Sequence, residues 1–239
     1  MLAIGAYEKC KRYIETQSNL TEQQERRLFQ KKPCPCITIS RQAGAGADVI
    51  GKLLSEQMNS YGVCTGEWTY FDRNLIEKVV QDHHLPKLIS RYIEEDKYKD
   101  IDHIVADFLG LSVCQWTLVH KTTETILQLA RMGNVIIIGR GGSVITSKLS
   151  NVFHVRLIAP VEARVRHIQE IYGMTDKEAL LFIKKEDHAR KSYLQSFFHR
   201  DIDDPVLYHL VINTSKMGYE GTAKIIENSV VQNFSHVLS

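Results

Sequence analysis

The stretch Cys36-Ile-Thr-Ile-Ser-Arg-Gln-Ala-Gly-Ala-Gly-Ala-Asp48 limits what this chain can fold into more than any other. An apolar run ends in a loop carrying Gly44 and Gly46. From Val49 the apolar residues recur at helical spacing through Ile50, Leu53, Leu54 and Met58. Strand, glycine loop and helix in this order make a phosphate cradle. The glycines let backbone N–H groups approach phosphate oxygens, and the positive end of the helix faces the charge. The competing reading is a tight turn that holds nothing.

The cradle departs from the usual phosphate loop, G-x-x-x-x-G-K-[ST], whose lysine reaches the β- and γ-phosphates and whose hydroxyl binds Mg²⁺. One register, Gly46-x4-Gly51-Lys52-Leu53, matches all but the last position, yet puts Gly51 and Lys52 a full turn inside the helix. The other begins at Arg41 and sets Gly46 just before the lysine slot. It keeps the glycines at the strand–helix turn, and it is preferred for that reason. In this register Ala47 stands in the lysine slot, and Asp48 or Val49 in the hydroxyl slot. Residues Ser40, Arg41, Gln42, Ala43, Gly44, Ala45, Gly46, Ala47 and Asp48 are then the expected phosphate-binding segment.

The rest of the chain reads as alternating strands and helices. Strands are expected at Cys36–Ser40, Trp68–Phe71, Val135–Ile138, Phe153–Ala159 and Leu207–Asn213. Helices are expected from the glycine loop to about Tyr61, in much of 73–132, and over Pro160–Tyr172, Thr175–Phe198 and Tyr219–Val231. Strands buried on both faces and separated by helices imply an α/β fold, a parallel sheet covered by helices, with a helical insertion before the third strand. Residues 1–35 read as an N-terminal helical extension. Its helix, with Tyr7, Cys10 and Ile14 on one side, either caps the domain or joins a partner chain, so a homo-oligomer is compatible with the sequence.

A formal net charge of +2 with 24% charged residues implies neither a nucleic-acid nor a membrane partner. The absence of a long apolar run or a signal-peptide pattern leads to the expectation of a soluble, cytoplasmic protein. The cysteine count, 5, is odd and irregularly spaced, which argues against a disulfide scaffold; Cys34-Pro-Cys36 reads as structural thiols.

In such sheets ligands bind off the carboxyl ends of the strands. The first strand delivers Ser40, Arg41 and Gln42 there, the second Asp72-Arg73-Asn74, and the third Gly139-Arg140-Gly141-Gly142. An arginine after four aliphatics needs an anionic partner, and its fork suits phosphate. On the helix Thr175–Phe198, Leu180, Ile183, Leu194 and Phe197 mark an inward stripe, and Asp187 and Arg190 fall on it. That pair is either an i, i+3 ion pair or aimed at a site. In the insertion, Tyr92, Tyr98, Trp116 and His83-His84 are candidates for a base pocket but read more simply as packing or surface. The helix residues Thr122, Thr123 and Glu124 point either way.

Six stretches in order carry a resemblance. They are Ile37-Thr-Ile-Ser-Arg-Gln42 with its loop, Tyr70-Phe-Asp-Arg-Asn-Leu-Ile76, Val135-Ile-Ile-Ile-Gly-Arg-Gly141, Phe153-His-Val-Arg-Leu-Ile-Ala-Pro160, Asp187-x-x-Arg190 and Asp204-Pro-x-x-Tyr-x-Leu-Val-Ile-Asn-Thr214. In these the chain resembles the cytidylate kinase-like family, a branch of the P-loop nucleoside monophosphate kinases. The resemblance implies a three-layer P-loop NTPase-like domain over 36–239, with a helical acceptor-binding insertion at about 73–132. It implies ATP and Mg²⁺ as cofactors, and phosphoryl transfer to a nucleoside monophosphate such as CMP or dCMP, or to a related small phosphorylated acceptor. It places Gly44 and Gly46 on the donor phosphates and Asp72 near the metal and the reacting phosphates. Arg73 and Arg140 fall on the acceptor side, and Asp187 and Arg190 on substrate and transition-state charge.

The departures are equally specific. Cytidylate kinases carry a lysine and a hydroxyl where this chain has Ala47-Asp48-Val49, and Gly-Arg-Asp where it has Gly139-Arg140-Gly141. Arg41, at the lip of the loop, is the candidate substitute cation, which with Asp72 and Arg190 completes the expected catalytic set. The missing lysine leaves open a second class, a non-catalytic nucleotide- or phosphate-binding regulatory protein on the same fold.

Overall fold

A computed structural model describes Arg12, residues 34–61, 66–72, Asn74 and residues 113–235. Apart from Arg12, Cys34 and Pro35, the N-terminal extension lies outside the described residues, as do Arg73, His83, His84, Tyr92, Tyr98 and the side chain of Trp116. The described elements run in order β1 (Cys36–Arg41), α1 (Ala47–Tyr61), β2 (Thr69–Phe71), α2 (Val113–Met132), β3 (Val135–Ile138), α3 (Gly142–Ile145) and β4 (Val152–Ile158). There follow α4 (Val161–Tyr172), α5 (Asp176–Phe198), β5 (Leu210–Asn213), α6 (Thr214–Met217) and α7 (Tyr219–Asn233).

The strands form one parallel sheet in the order β2-β3-β1-β4-β5. β1 sits in the middle, with Cys36 level with Val135 of β3 and with Val152 of β4. Consecutive parallel strands leave β1 toward opposite edges, so a crevice opens beyond its carboxyl end. Val135–Ile138 is buried throughout, as a run of aliphatics covered on both faces should be. The last strand is shorter than the sequence suggests. Pro205 opens a 3₁₀ turn, capped by the Asp204 carboxylate accepting from the Val206 N–H at 3.0 Å, so pairing begins only at Leu210.

The sheet has two chemically different faces. Ile37 and Ile39 of β1 and Val155 and Leu157 of β4 pack with Ile50, Leu54 and Met58 of α1 and with Ala223, Ile226 and Val230 of α7. Burying side chains of this size contributes about 1.5–3 kcal/mol each. The alternate positions are polar and paired across the same two strands. Thr38 Oγ1 lies 2.7 Å from His154 Nδ1, and Arg156 Nη1 donates to Ser40 Oγ at 2.8 Å. Thr38 with His154 and Ser40 with Arg156 are also register partners, so strand alternation alone delivers this ladder.

His154 is buried beside His209, whose Nδ1 accepts the His154 N–H at 2.9 Å. Burial, with a smaller contribution from His209, pushes His154 from 6.5 down to about 4, and burial also lowers His209. A depressed folded-state value means that the unfolded chain takes up the proton first as pH falls. Stability is therefore expected to be full above pH 6.5 and to fall by about 3 kcal/mol toward pH 4 on account of His154. Thermal melts across this range check it, and His154→Gln, which keeps a partner for Thr38 but does not titrate, should flatten the slope.

The α4–α5 hairpin covers the front of the crevice. Thr175 caps α5 through a reciprocal capping box with Glu178. Of the expected inward stripe, Ile183 and Leu194 are buried while Leu180 and Phe197 are half-buried, and Ala179 joins the buried set. No described helix is long and apolar enough to cross a membrane. Cys36 is a buried thiol outside any disulfide, and burial raises it far above its usual range.

Candidate active site at the strand ends

The glycine loop takes the second register. α1 begins at Ala47, immediately after the loop, and Lys52 is exposed a full turn inside it. Gly44 and Gly46 both adopt left-handed backbone, φ 77° and 79°, which a residue with a Cβ adopts only at a cost. A Cβ at Gly46 would also run into the ring of Tyr219, which lies against the loop from the start of α7.

Three loop N–H groups are satisfied by the protein. Gln42 N–H donates to the Leu157 carbonyl at 3.0 Å, Ala43 N–H to Asp187 Oδ1 at 2.7 Å, and Ala45 N–H to the Gln42 carbonyl at 3.2 Å. The N–H groups of Gly44, Gly46, Ala47 and Asp48 donate to no described residue. Together with the first turn of α1 they make a run of open backbone donors, the chemistry that a backbone anion nest uses. Ala47 itself is buried in the core, whereas Asp48 is exposed at the first turn.

Beside the loop, a cavity of about 250 Å³ opens over the ends of β1 and β3, with Ser40, Arg41, Arg140 and Arg190 among its walls. The fold thus gathers four of the residues singled out in the sequence. Arg140 is reached by an abrupt turn: Gly139, Arg140 and Gly141 have φ 87°, 52° and 72°. A left-handed conformation costs a non-glycine residue roughly 1–2 kcal/mol, a strain typical of residues aimed at a ligand. Arg140 also lies close enough to Tyr193 to oppose the rise that burial imposes on that phenol.

Arg41 crosses the floor of the cavity. Its guanidinium fills the space where a side chain at Gly139 would begin, so the glycine makes room for it. Burial, and then the neighbouring charge of Arg190, pull Arg41 from 12.5 down to about 10, against the opposing pull of Asp48, Asp72 and Glu186. It remains a cation at neutral pH. These influences set Arg41 between the loop, the end of β2 and α5, which places Asp72 within its electrostatic reach.

Three other expected residues have structural partners. Ser40 Oγ takes the Arg156 hydrogen bond and lies 3.2 Å from Tyr208 Oη, which donates to the Ile202 carbonyl at 2.8 Å. Gln42 Oε1 accepts the Ala159 N–H at 3.0 Å. Asp187 sits at the rim, bonded to Ala43 N–H and to Arg164 Nη1 at 2.6 Å, and Arg190 Nη1 lies 3.4 Å from it. Of the two alternatives posed by the sequence, the i, i+3 pairing is present, and Arg190 also lines the cavity. Thr122 and Thr123 point inward and are buried, and Glu124 accepts from Gln128 at 3.2 Å.

Sequence reasoning did not single out Glu186, Tyr193, Arg156 or Arg164. Glu186 and Tyr193 line the cavity, and Glu186 accepts from Arg190 Nη2 at 3.1 Å. Arg156 is buried on β4 and also donates to Asp203 Oδ1 at 2.7 Å, which ties the 201–204 segment behind the cavity wall. For Arg156 a signal existed, since it stands between the aliphatic Val155 and Leu157 within an expected strand. Arg164 precedes the buried Ile168 by one turn.

Residues 36–216 match the model of the cytidylate kinase-like family. The cytidylate kinase of Methanocaldococcus jannaschii is 26% identical over 198 residues, which cover 81% of this chain and 96% of that protein. The cytidylate kinase of Pyrococcus horikoshii is 26% identical over 197 residues, covering 81% of this chain and 87% of its own. Among solved structures, an uncharacterized protein from Eubacterium ventriosum superimposes with a TM-score of 0.65 at 20% identity, covering 83% of this chain and 98% of that one. That likeness speaks to the fold alone. The family match begins at β1 and ends in α6, spanning the glycine loop and every described strand, and the chain belongs to the cytidylate kinase-like family.

Proposed function

We propose that this protein transfers the γ-phosphoryl group of ATP to a nucleoside monophosphate of the CMP or dCMP kind, or to a related small phosphorylated acceptor. The observation that carries the reading is the pairing of two anion sites. The N–H nest at Gly44, Gly46, Ala47 and Asp48 lies next to a cavity walled by Arg41, Arg140 and Arg190. Phosphoryl transfer needs two phosphates brought end to end and their charge neutralised, with little covalent chemistry from the protein.

In this reading the nest holds the donor phosphates through backbone N–H groups. Arg140 holds the phosphate of the acceptor, and Arg41, between the two, takes the position of charge that a loop lysine ordinarily serves. Arg190 faces the cavity from α5 and adds transition-state charge stabilisation. The cytidylate kinases among the relatives support a nucleotide acceptor.

The donor set suits Mg²⁺. Asp72 and Asp48 are hard oxygen donors, both within electrostatic reach of Arg41, and no cluster of three or more metal-ligating side chains occurs among the described residues. Mg²⁺ in kinase sites is held by one or two carboxylates, water and substrate phosphates rather than by an all-protein cage. When bound, the ion neutralises phosphate charge; Asp72 would hold it through water, from the end of β2.

The test is product formation from Mg-ATP with a panel including CMP, dCMP and UMP, alongside Asp72→Asn. Turnover of one acceptor, reduced about a hundredfold or more in the variant, is the expected result. ATP binding without turnover of any acceptor would instead favour the regulatory binder, the reading to which the missing lysine and hydroxyl point.

A further inference from the structure

The peptide of Ala43 is gripped from both sides. Its N–H donates to Asp187 Oδ1 at 2.7 Å, while Arg164 Nη1 lies 3.4 Å from its carbonyl oxygen and donates to Asp187 Oδ2 at 2.6 Å. Arg164 belongs to α4 and Asp187 to α5, so both helices of the hairpin meet at one peptide of the glycine loop. The next residue tightens the contact: a Cβ at Gly44 would stand 2.7 Å from the Arg164 carbonyl oxygen. Ala43 itself is buried against Ile168, Ala179 and Ile183 of the same two helices.

The second branch of this arrangement runs to the cavity. Arg190 Nη1 approaches Asp187 Oδ1 at 3.4 Å and its Nη2 donates to Glu186 at 3.1 Å, and both Arg190 and Glu186 line the cavity while Asp187 does not. A carboxylate next to a phosphate nest opposes anion binding unless it is neutralised. Here Arg164 and Arg190 do so, and the carboxylate's oxygens face donors of the protein itself. This geometry suits a strut and gives no support to a group that contacts substrate.

We propose that Asp187 is a positioning residue that locks the glycine loop to the α4–α5 hairpin and holds Arg190 at the cavity, so that nest and cavity are set as one unit. Fixing the Ala43 peptide orients the chain just before the N–H groups at Gly44 and Gly46. The same carboxylate limits the rotamers open to Arg190. The kinetic consequence rests on the phosphoryl-transfer reading, but the structural consequence does not.

The experiment joins site-resolved amide hydrogen exchange to kinetics for Asp187→Ala and Asp187→Asn. A hydrogen bond to a charged group is strong enough that its loss should accelerate exchange at Ala43 about tenfold in Asp187→Ala and raise the KM for ATP by a similar factor. Exchange at Ile137, in the middle of the sheet, should not change. Asp187→Asn retains an oxygen for Ala43 N–H and should recover most of both effects. Should Asp187→Ala fail to fold, Asp187→Ser, too short to reach Ala43, carries the same expectation. Unchanged exchange at Ala43, with only the acceptor KM raised, would overturn the proposal and return Asp187 to substrate binding. If no acceptor is turned over, the exchange data with ATP titrated by calorimetry still decide the strut, and the functional reading fails separately.

Discussion

Replacing Arg41 by alanine is expected to lower turnover by about a hundredfold to a thousandfold while leaving the fold intact, as judged by thermal melting. The size follows from removing one preorganised charge from a site where charge neutralisation supplies most of the catalysis. Arg41 lines the cavity beside the glycine loop, and burial strengthens its interaction with any phosphate placed there. Arg41→Lys should recover part of the loss, because a point charge remains but the fork geometry does not. The effect should fall on kcat more than on either KM, since the charge it meets develops in transit. Undiminished turnover in Arg41→Ala would remove Arg41 from the mechanism.

Arg140→Ala carries the second-largest expectation, with the opposite kinetic signature. A guanidinium that binds the acceptor's own phosphate does so equally before and during reaction, so its removal should raise the acceptor KM with little change in kcat. Charge-assisted bonds of this kind contribute about 1.5–3 kcal/mol, or roughly tenfold to 150-fold in KM. Alanine also relieves none of the left-handed strain at φ 52°, whereas Arg140→Gly does. Arg140→Gly should therefore match alanine in KM and exceed it in stability by about 1 kcal/mol. A fall in kcat with an unchanged acceptor KM would place Arg140 away from the bound phosphate.

The strand–loop–helix text around Gly44 and Gly46 was legible because local geometry alone dictates it. Left-handed glycines and a helix start require no information from elsewhere in the chain. Val135–Ile138 was legible because an unbroken aliphatic run reads as a strand covered on both faces. What the sequence hid was partnership. Ser40 and Gln42 stand at the lip of the loop in the text, yet their side chains are tied to Arg156 and to the Ala159 N–H across the sheet. Arg164 and Glu186 drew no notice because each lies on a helix rich in charge, where only the packing of α4 and α5 on the loop distinguishes a buried ion pair from solvated surface. The short β5 was misjudged at its start because the Asp204–Pro205 turn consumes residues that alone read as strand.

The burial of Ala47 has a consequence for any attempt to return this loop to the common sequence. At 5% exposure its methyl group faces the core with Ile50 and Leu54, not the nest. A lysine written there starts from a position packed in hydrocarbon, so its flexible stem has to carry the ammonium out. Even a successful escape would bring its charge toward the guanidinium that Gly139 admits. A lysine there would add a fourth cation to a crevice that Arg41, Arg140 and Arg190 already line. An engineer restoring the lysine would therefore pair it with a change at Arg41, whose guanidinium already feels the charge of Arg190.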